Sequence, residues 1–293
     1  MKSPFASMAT TCLVVFAAIA ARADVVETLP DTSRLVAVGG SITEIIYALG
    51  EEDHLIARDT TSVYPQAALA LPDVGYMRAL SPEGVLSIDP SAILMMEGSG
   101  PPEAIDVLKK ASVPIAIVPE RFDSQGILTK ITTIGRAIGE EEKAGQLAAK
   151  VAADLADAEA STAHVAERRR VLFVLSNQGG KLLASGTGTA ADGIIKMAGG
   201  INVMSEFTGY KQLADEAVIT AQPDLILMMN ARDRPNGEVD TELLAQPAVA
   251  ATPAGRNKAI LHMDGAYLLG FGPRTAAAVR DLAVALYGQA ITD

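Results

Sequence analysis

The sequence predicts an α/β fold: two similar α/β lobes with mainly parallel sheets, joined by one long backbone helix, with a ligand cleft between the lobes. Three observations support this prediction. Short apolar runs alternate with helical stretches, a helix-forming segment interrupts the alternation in the middle, and the parts on either side share a pattern. Alternating strands and helices are typical of βαβ units and parallel sheets.

The first 23 residues have the pattern of a secretory signal peptide. Lys2 supplies a positive charge, residues 8–21 are mostly apolar, and Ala21-Arg22-Ala23 matches the small-x-small cleavage pattern. The apolar run is shorter than the roughly 20 residues of a membrane-spanning helix, and Cys12 lies inside it, without the context of a lipidated cysteine. We therefore expect cleavage after Ala23 and a soluble, periplasmic mature protein.

Charge and cysteine content exclude several classes of protein. The 293-residue chain carries a formal charge of −11; loss of residues 1–23 removes Lys2, Arg22 and Cys12, the single cysteine. The mature chain then has 22 basic and 35 acidic residues, a formal charge of −13, and no thiol. An acidic chain is a poor partner for nucleic acid, and a chain without cysteine has neither disulfides nor thiolate metal sites.

The first lobe is predicted over residues 24–123. The expected strands are short apolar runs at 34–38, 55–57, 92–96 and 115–118, and the expected helices lie between them at 43–49, 81–88 and 103–110. Pro82 suits the first turn of a helix.

The connecting helix is predicted over residues 124–164. This segment lacks proline and is rich in strong helix formers, and Leu147, Val151 and Leu155 recur at helical spacing. We expect one long helix, with Gly139 as the position at which it could break.

The second lobe is predicted over residues 165–293. Strands are expected at 171–175, 182–184, 225–229 and 260–263, and helices at 190–197, 215–221 and 275–286. The segments 75–96 and 209–229 match after one deletion, since both read Gly-Tyr, Leu, Glu, Val, Pro and then Ile-Leu-Met-Met. This ordered set indicates an internal duplication.

Three motifs resemble those of a known family. They are Gly39-Gly-Ser-Ile-Thr-Glu44, the segment Gly75-Tyr-Met-Arg-Ala-Leu-Ser-Pro-Glu-Gly-Val-Leu-Ser87, and Gly188-Thr-Ala-Ala-Asp-Gly-Ile-Ile195. They look like bacterial periplasmic haem-binding proteins, the substrate-binding components of haem ABC importers, within the helical-backbone group that also carries siderophores and cobalamin. The resemblance implies two lobes, a rigid bridging helix and little closure on binding. It also implies haem b (hemin) as the transported ligand and an inner-membrane permease with its ATPase as partners, downstream of an outer-membrane haem receptor.

The resemblance implies Tyr76 as the axial ligand of the haem iron. A phenolate is a known axial ligand, and coordination to iron or a nearby cation such as Arg78 favours the ionised form. Met77 is expected to pack on the porphyrin. On sequence spacing alone, Tyr76 would instead be an interface tyrosine near a turn.

Other predicted pocket residues belong to the second lobe. Tyr210 matches Tyr76 in the repeat, and it could ligate the iron, contact the haem or serve structure only. Arg232 and Arg234 follow a strand, where they could contact a haem propionate or lie in a solvated loop. Some family members have a second haem ligand, a histidine, in the segment that here reads Ser176-Asn-Gln-Gly-Gly180. This chain has no histidine there, so a second ligand from that position is not expected. The three histidines here are expected to be surface or core residues.

Glu83 and Glu216 take equivalent places in the repeat, each near the start of a helix, where a carboxylate also favours the helix dipole. The resemblance implies that each meets a basic residue of one permease subunit. No metalloprotease, phosphate-loop or nucleophile-elbow motif is complete, so we expect a transport protein rather than an enzyme. A siderophore or cobalamin carrier is the alternative.

Overall fold

The computed structural model of the protein describes residues 28–291. The predicted signal peptide and its cleavage site lie outside the described residues. None of the helices in this part of the chain combines the length and the apolar character needed to cross a bilayer.

The first lobe is built on a four-stranded, fully parallel sheet in the order β2-β1-β3-β4. All residues of the two central strands are buried, as expected for a parallel sheet covered by helices on both faces. Its elements are β1 (Leu35–Val38), α1 (Gly40–Leu49), β2 (Leu55–Arg58), α2 (Pro82–Leu86), β3 (Ala92–Met96), α3 (Pro102–Lys110) and β4 (Ile115–Val118), with short 3₁₀ helices at Glu52–His54 and Gln66–Ala70.

Two layers of helices cover this sheet, and alternate residues of β1 face each layer. Leu35 and Ala37 pack in the large cluster that includes α1 and the helices of the connecting segment. Val36 and Val38 pack in a smaller cluster with α2 and α3. Successive side chains of a strand point to opposite faces of the sheet, and helices cover both faces here, so every residue of β1 is buried. This explains the continuous apolar run from which the strand was predicted.

The connecting segment forms two helices rather than the single helix predicted over 124–164: α4 (Ser124–Ile138) and α5 (Glu141–Ala160). They meet at Gly139, whose left-handed conformation (φ 79°) ends α4. The two helices pack very closely, because a Cβ on Gly135 would lie 2.1 Å from the Cβ of Ala144. The 20-residue α5 packs on α4, on α1 of the first lobe and on α12 of the second, so it is the long helix that joins the lobes.

The second lobe contains a six-stranded mixed sheet in the order β10-β9-β5-β6-β8, with β7 also paired to β5. Strands β5, β7, β9 and β10 run parallel, β6 pairs antiparallel with β5, and β8 pairs antiparallel with β6, so β6 alone runs in the opposite direction in this sheet. Its elements are β5 (Arg170–Gln178), β6 (Lys181–Ser185), α6 (Ala190–Met197), β7 (Ile201–Asn202), β8 (Tyr210–Gln212), α7 (Asp215–Ala221), β9 (Leu225–Met229), α8 (Asn236–Leu244), α9 (Pro247–Ala250), α10 (Pro253–Asn257), β10 (Ile260–Met263), α11 (Gly265–Leu269) and α12 (Thr275–Tyr287), followed by a 3₁₀ turn at Gly288–Ile291.

The two lobes repeat one arrangement. The order β1-β3-β4 in the first sheet matches β5-β9-β10 in the second, and α2 precedes β3 as α7 precedes β9. The prediction of two similar α/β lobes with mainly parallel sheets is therefore confirmed. One large hydrophobic core runs through both lobes and includes Leu94, Leu155 and Leu282, so the lobes are packed together rather than linked by a tether.

Candidate functional site

Tyr76 lies on a tight turn of the first lobe, with its side chain exposed. The backbone N–H of Ala79 donates to the carbonyl of Tyr76 at 2.8 Å, which closes a turn with Met77 and Arg78 at its centre. Gly75 precedes the turn with a φ of 100°, a conformation that favours glycine. The Tyr76 side chain keeps 43% of its surface exposed, so it is available to a ligand.

The turn that carries Tyr76 is anchored on both sides. The N–H of Gly100 donates to the carbonyl of Met77 at 2.9 Å, and the N–H of Thr60 donates to the carbonyl of Gly75 at 3.0 Å. Met77 is partly buried and packs against the core of the first lobe. Its packing on the porphyrin stays a prediction, while its contact with the core holds the turn in place.

Tyr210, on the second lobe, lies close to Tyr76 and Arg78. It begins β8, follows Gly209 with a φ of 79°, and is 39% exposed. Burial raises the pKa of the Tyr210 phenol, and the proximity of Tyr76 adds to the rise, whereas Arg78 and a hydrogen bond with Thr189 lower the pKa. The structure thus brings Tyr76, Arg78 and Tyr210 together across the two lobes.

Arg78 is an exposed cation at this site. Within residues 28–291, its guanidinium forms no ion pair or hydrogen bond with another residue. Its positive charge favours the ionised form of the Tyr210 phenol and so opposes the rise in that pKa. The site therefore combines an exposed phenol, a neighbouring positive charge and a second phenol on the other lobe.

The remaining predicted pocket residues are not tied to this group. Arg232 and Arg234 are exposed in the loop between β9 and α8, and Arg234 forms an ion pair with Glu242 of α8. The contacts found between residues 28 and 291 connect neither arginine to the tyrosine pair.

The histidines are engaged elsewhere. His54 contacts the carbonyl of Thr32 and the carboxylate of Glu51, and His262 contacts the carbonyl of Met229 and the carboxylate of Asp240. Among residues 28–291, no group of three or more histidine, cysteine, aspartate or glutamate side chains is arranged to hold a metal ion. The segment 176–180 forms the end of β5 and a tight hairpin turn in which Gly179 and Gly180 both have positive φ.

The sequence analysis did not single out two further residues, one next to Tyr210 and one in a contact between the lobes. Thr189, the N-cap of α6, contacts Tyr210, and its motif Gly-Thr-x-x-Asp parallels Gly40-Ser-x-x-Glu44 on α1. The parallel between these two motifs could have indicated Thr189 from the sequence. Tyr64 is 43% exposed and stacks against Arg274 of the second lobe. No sequence pattern pointed to it, because the contact joins residues 210 positions apart.

Glu83 and Glu216 are both exposed, and each is the second residue of its helix, α2 or α7. Their equivalent positions agree with the repeat. No ion pair with another described residue involves either carboxylate.

Solved structures similar to this chain include two periplasmic haem-binding proteins. BhuT, in complex with two haems, is 39% identical, with 88% of this chain and 98% of that chain covered and a TM-score of 0.81. RhuT from Roseiflexus sp. RS-1, in the apo form, is 37% identical, with 89% and 100% covered and a TM-score of 0.82.

Two curated relatives are more distant in sequence. The uncharacterised ABC transporter substrate-binding lipoprotein YvrC of Bacillus subtilis is 25% identical over 260 residues, 88% of this chain and 81% of its own. A vitamin B12-binding protein of Pectobacterium atrosepticum is 27% identical over 206 residues, which cover 69% of this chain and 73% of its own.

The family model described as periplasmic binding protein matches residues 35–267. The match extends from β1 to α11, and so it includes both sheets, the connecting helices and the paired tyrosines. The chain belongs to the periplasmic binding protein family.

Proposed function

We propose that this protein captures haem in the periplasm and delivers it to an inner-membrane ABC permease. The observation that supports this most is the exposed Tyr76 beside the unpaired Arg78, facing Tyr210 on the other lobe. BhuT and RhuT, which share more than a third of their residues with this chain, are haem-binding proteins by name.

The chemistry of ferric haem suits this group of residues. The iron is a hard Lewis acid at the centre of an apolar disc that carries two carboxylates on one edge. Tyr76 would supply a phenolate to the iron, and Arg78 would stabilise that phenolate or pair with a propionate. Tyr210 would contact the opposite face as a neutral phenol, because burial raises its pKa and so opposes its ionisation.

Met77, Arg232 and Arg234 complete the proposed pocket at its edges. The two arginines lie at the carboxyl end of β9, where parallel α/β sheets commonly bind ligands. Arg232 would then be the more available for a propionate, since Arg234 already pairs with Glu242.

A hemin titration of the purified protein tests the proposal. Wild type should give a Soret band and the charge-transfer band of high-spin ferric tyrosinate. Tyr76→Phe should lose that band and bind hemin at least about tenfold more weakly, equivalent to roughly 1.4 kcal/mol. Tyr47→Phe, which alters a half-buried phenol on α1, is the matched control. An unchanged tyrosinate band in Tyr76→Phe would reject Tyr76 as the ligand.

Cobalamin is the second candidate, because a relative with 27% identity is a vitamin B12-binding protein. A siderophore, which is another metal chelate, is a further candidate ligand. The chain has no Trp and only 4% aromatic residues, which is a poor composition for holding a corrin ring. Parallel titrations with hemin and cyanocobalamin distinguish the two, and tight binding of cyanocobalamin alone would replace the haem proposal.

Delivery requires an upstream supply and a downstream acceptor. We infer that the export signal is cut after Ala23, so that N-terminal sequencing of the periplasmic protein should begin at Asp24. Glu83 and Glu216 would meet the two permease subunits, whose ATPase drives import, and an outer-membrane haem receptor would supply the ligand.

A further inference from the structure

One short segment of the second lobe, Phe271–Arg274, inserts against the first lobe. The Nε and Nη2 atoms of Arg274 donate to Oε2 of Glu44 at 3.0 and 2.9 Å, and its backbone N–H donates to Oε1 at 3.0 Å. Glu44 belongs to α1 and is only 7% exposed. Two charge-assisted bonds from the guanidinium to Oε2, together with the backbone bond to Oε1, hold Arg274 in one orientation against Glu44.

An aromatic stack completes this contact. The guanidinium carbon of Arg274 lies 3.4 Å from the ring centroid of Tyr64 on the first lobe and 5.4 Å from that of Tyr267 on the second. A guanidinium over an aromatic face is attracted by the ring. The hydroxyl of Tyr267 donates to Asp281 at 2.9 Å, so this second ring is held within its own lobe.

Tyr64 lies on the same anchored part of the first lobe as Tyr76. Asp59, fully buried, accepts hydrogen bonds from the backbone N–H groups of Gly39 and Thr61 and from the Ser62 hydroxyl. The backbone N–H of the neighbouring Thr60 donates a hydrogen bond to the carbonyl of Gly75, the residue before Tyr76. A displacement of Tyr64 relative to the second lobe would therefore also displace Tyr76 relative to Tyr210.

The other end of the inserted segment has its own anchor. Lys130 of α4, fully buried, donates to the Ser41 hydroxyl at 3.1 Å, to Glu120 at 2.6 Å and to the carbonyl of Phe271 at 3.1 Å. The ring of Phe271 meets that of Phe122 edge-on at 5.3 Å. The segment Phe271–Arg274 is therefore held to residues outside its own lobe at both ends, at Phe271 by Lys130 and at Arg274 by Glu44.

We propose that the stack of Tyr64 on Arg274 is a positioning device that fixes the spacing of the two cleft walls and holds Tyr76 opposite Tyr210. Arg274 acts through Tyr64 and Glu44 and does not itself have to touch the ligand. The part of this inference that concerns the ligand rests on the proposed function, and the part that concerns the lobes does not.

The lobe spacing is measured first, without ligand. Mature protein lacks cysteine, so Asp106→Cys on α3 and Glu238→Cys on α8, both exposed, give one spin label on each lobe. Wild type should give a narrow distance distribution, and Tyr64→Ala a clearly broader one. Tyr64→Phe keeps the ring, and Leu69→Ala removes a similarly exposed side chain (47%) from the same region. Both should match wild type.

Hemin release gives the second readout. Tyr64→Ala should release hemin about tenfold faster and weaken the tyrosinate band, because a tenfold change is the size expected from the loss of one stacking contact. Tyr64→Phe should show the release rate and the tyrosinate band of wild type. Unchanged lobe spacing in Tyr64→Ala would overturn the proposal, as would equal broadening in Tyr64→Phe or Leu69→Ala. If wild type binds no hemin, the proposed function fails, and the distance measurements still decide whether the stack positions the lobes.

Discussion

Tyr76 and Tyr210 occupy equivalent places in the repeat but have different surroundings. Both follow a glycine with positive φ, which the two Gly-Tyr pairs of the sequence already indicated. The raised pKa of Tyr210 was not predictable, because it arises chiefly from burial in the folded chain, which Tyr76 reinforces and Arg78 opposes. The duplication therefore supplies two similar positions, and burial opposes ionisation of the phenol at Tyr210.

Arg78 provides the prediction at this scale. Arg78→Ala should leave folding intact, because the side chain is exposed and no partner of it is recorded in the described chain, and should release hemin about fivefold faster, the size expected for one lost charged contact. Stopped-flow transfer of hemin to excess apomyoglobin measures the rate. Lys110→Ala removes an exposed charge from α3 and should match wild type. Equal rates for all three proteins would count against Arg78.

Elements that bury an apolar face and have a clear end were predicted well. The sequence placed β3, β4, β9 and β10 at their observed bounds, and α6 and α7 as well. It missed β7, β8 and the short helices α8–α11. A three-residue edge strand with all residues exposed has no hydrophobic period to detect, and α9, α10 and α11, with four or five residues each, are too short to show one. The nine-residue α8 buries only Val239 and Leu243, too few apolar positions to mark a helical face.

The start of α4 provides a prediction at the scale of an element. Asp123 is its N-cap and accepts from the N–H of Gly126 at 2.6 Å. Burial raises the pKa of the Asp123 carboxyl, but the bond from Gly126 and the pairing with Arg121 lower it by more, and the net pKa is lowered. Asp123→Ala should therefore reduce the free energy of unfolding by about 1 kcal/mol at pH 7.

The pH dependence follows from the sign of that shift. Because the folded state favours the carboxylate, its contribution is present above the unfolded pKa of about 4 and is lost as the pH falls through the lower folded value. Urea unfolding should therefore show the difference between wild type and Asp123→Ala at pH 7 and a smaller one near pH 3. Asp106→Ala, on an exposed face of α3, should have little effect at either pH. A gap that grows on acidification would contradict the assignment.

At the scale of the whole molecule, the sequence predicted two lobes because segments 75–96 and 209–229 share an ordered pattern of residues. It did not predict how they are held together, since the contacts of Arg274 with Glu44 and of Lys130 with Phe271 join residues 230 and 141 positions apart. Nothing in composition or periodicity pairs such residues. The single core through both lobes follows from the same long-range packing.

The duplication also gives the molecule two exposed carboxylates at equivalent positions, one on each lobe. Glu83 and Glu216 lie at the second residue of α2 and α7, both are exposed, and the two helices correspond in the repeat. A permease with two similar subunits could meet one carboxylate with each. Because isolated surface charges contribute at most about 1 kcal/mol to stability, reversing them should change folding little.

The double variant Glu83→Arg and Glu216→Arg should therefore bind hemin as wild type does but fail to support haem uptake through the cognate importer, because like charges at a complementary interface are strongly unfavourable. Growth on hemin as the iron source, together with binding to permease in nanodiscs, measures the effect. Glu103→Arg with Glu238→Arg changes the net charge equally at exposed sites on α3 and α8 and should transport normally. Normal uptake by the first variant would show that other residues carry docking. Loss of hemin binding by the purified variant would instead assign these carboxylates to the support of the lobes.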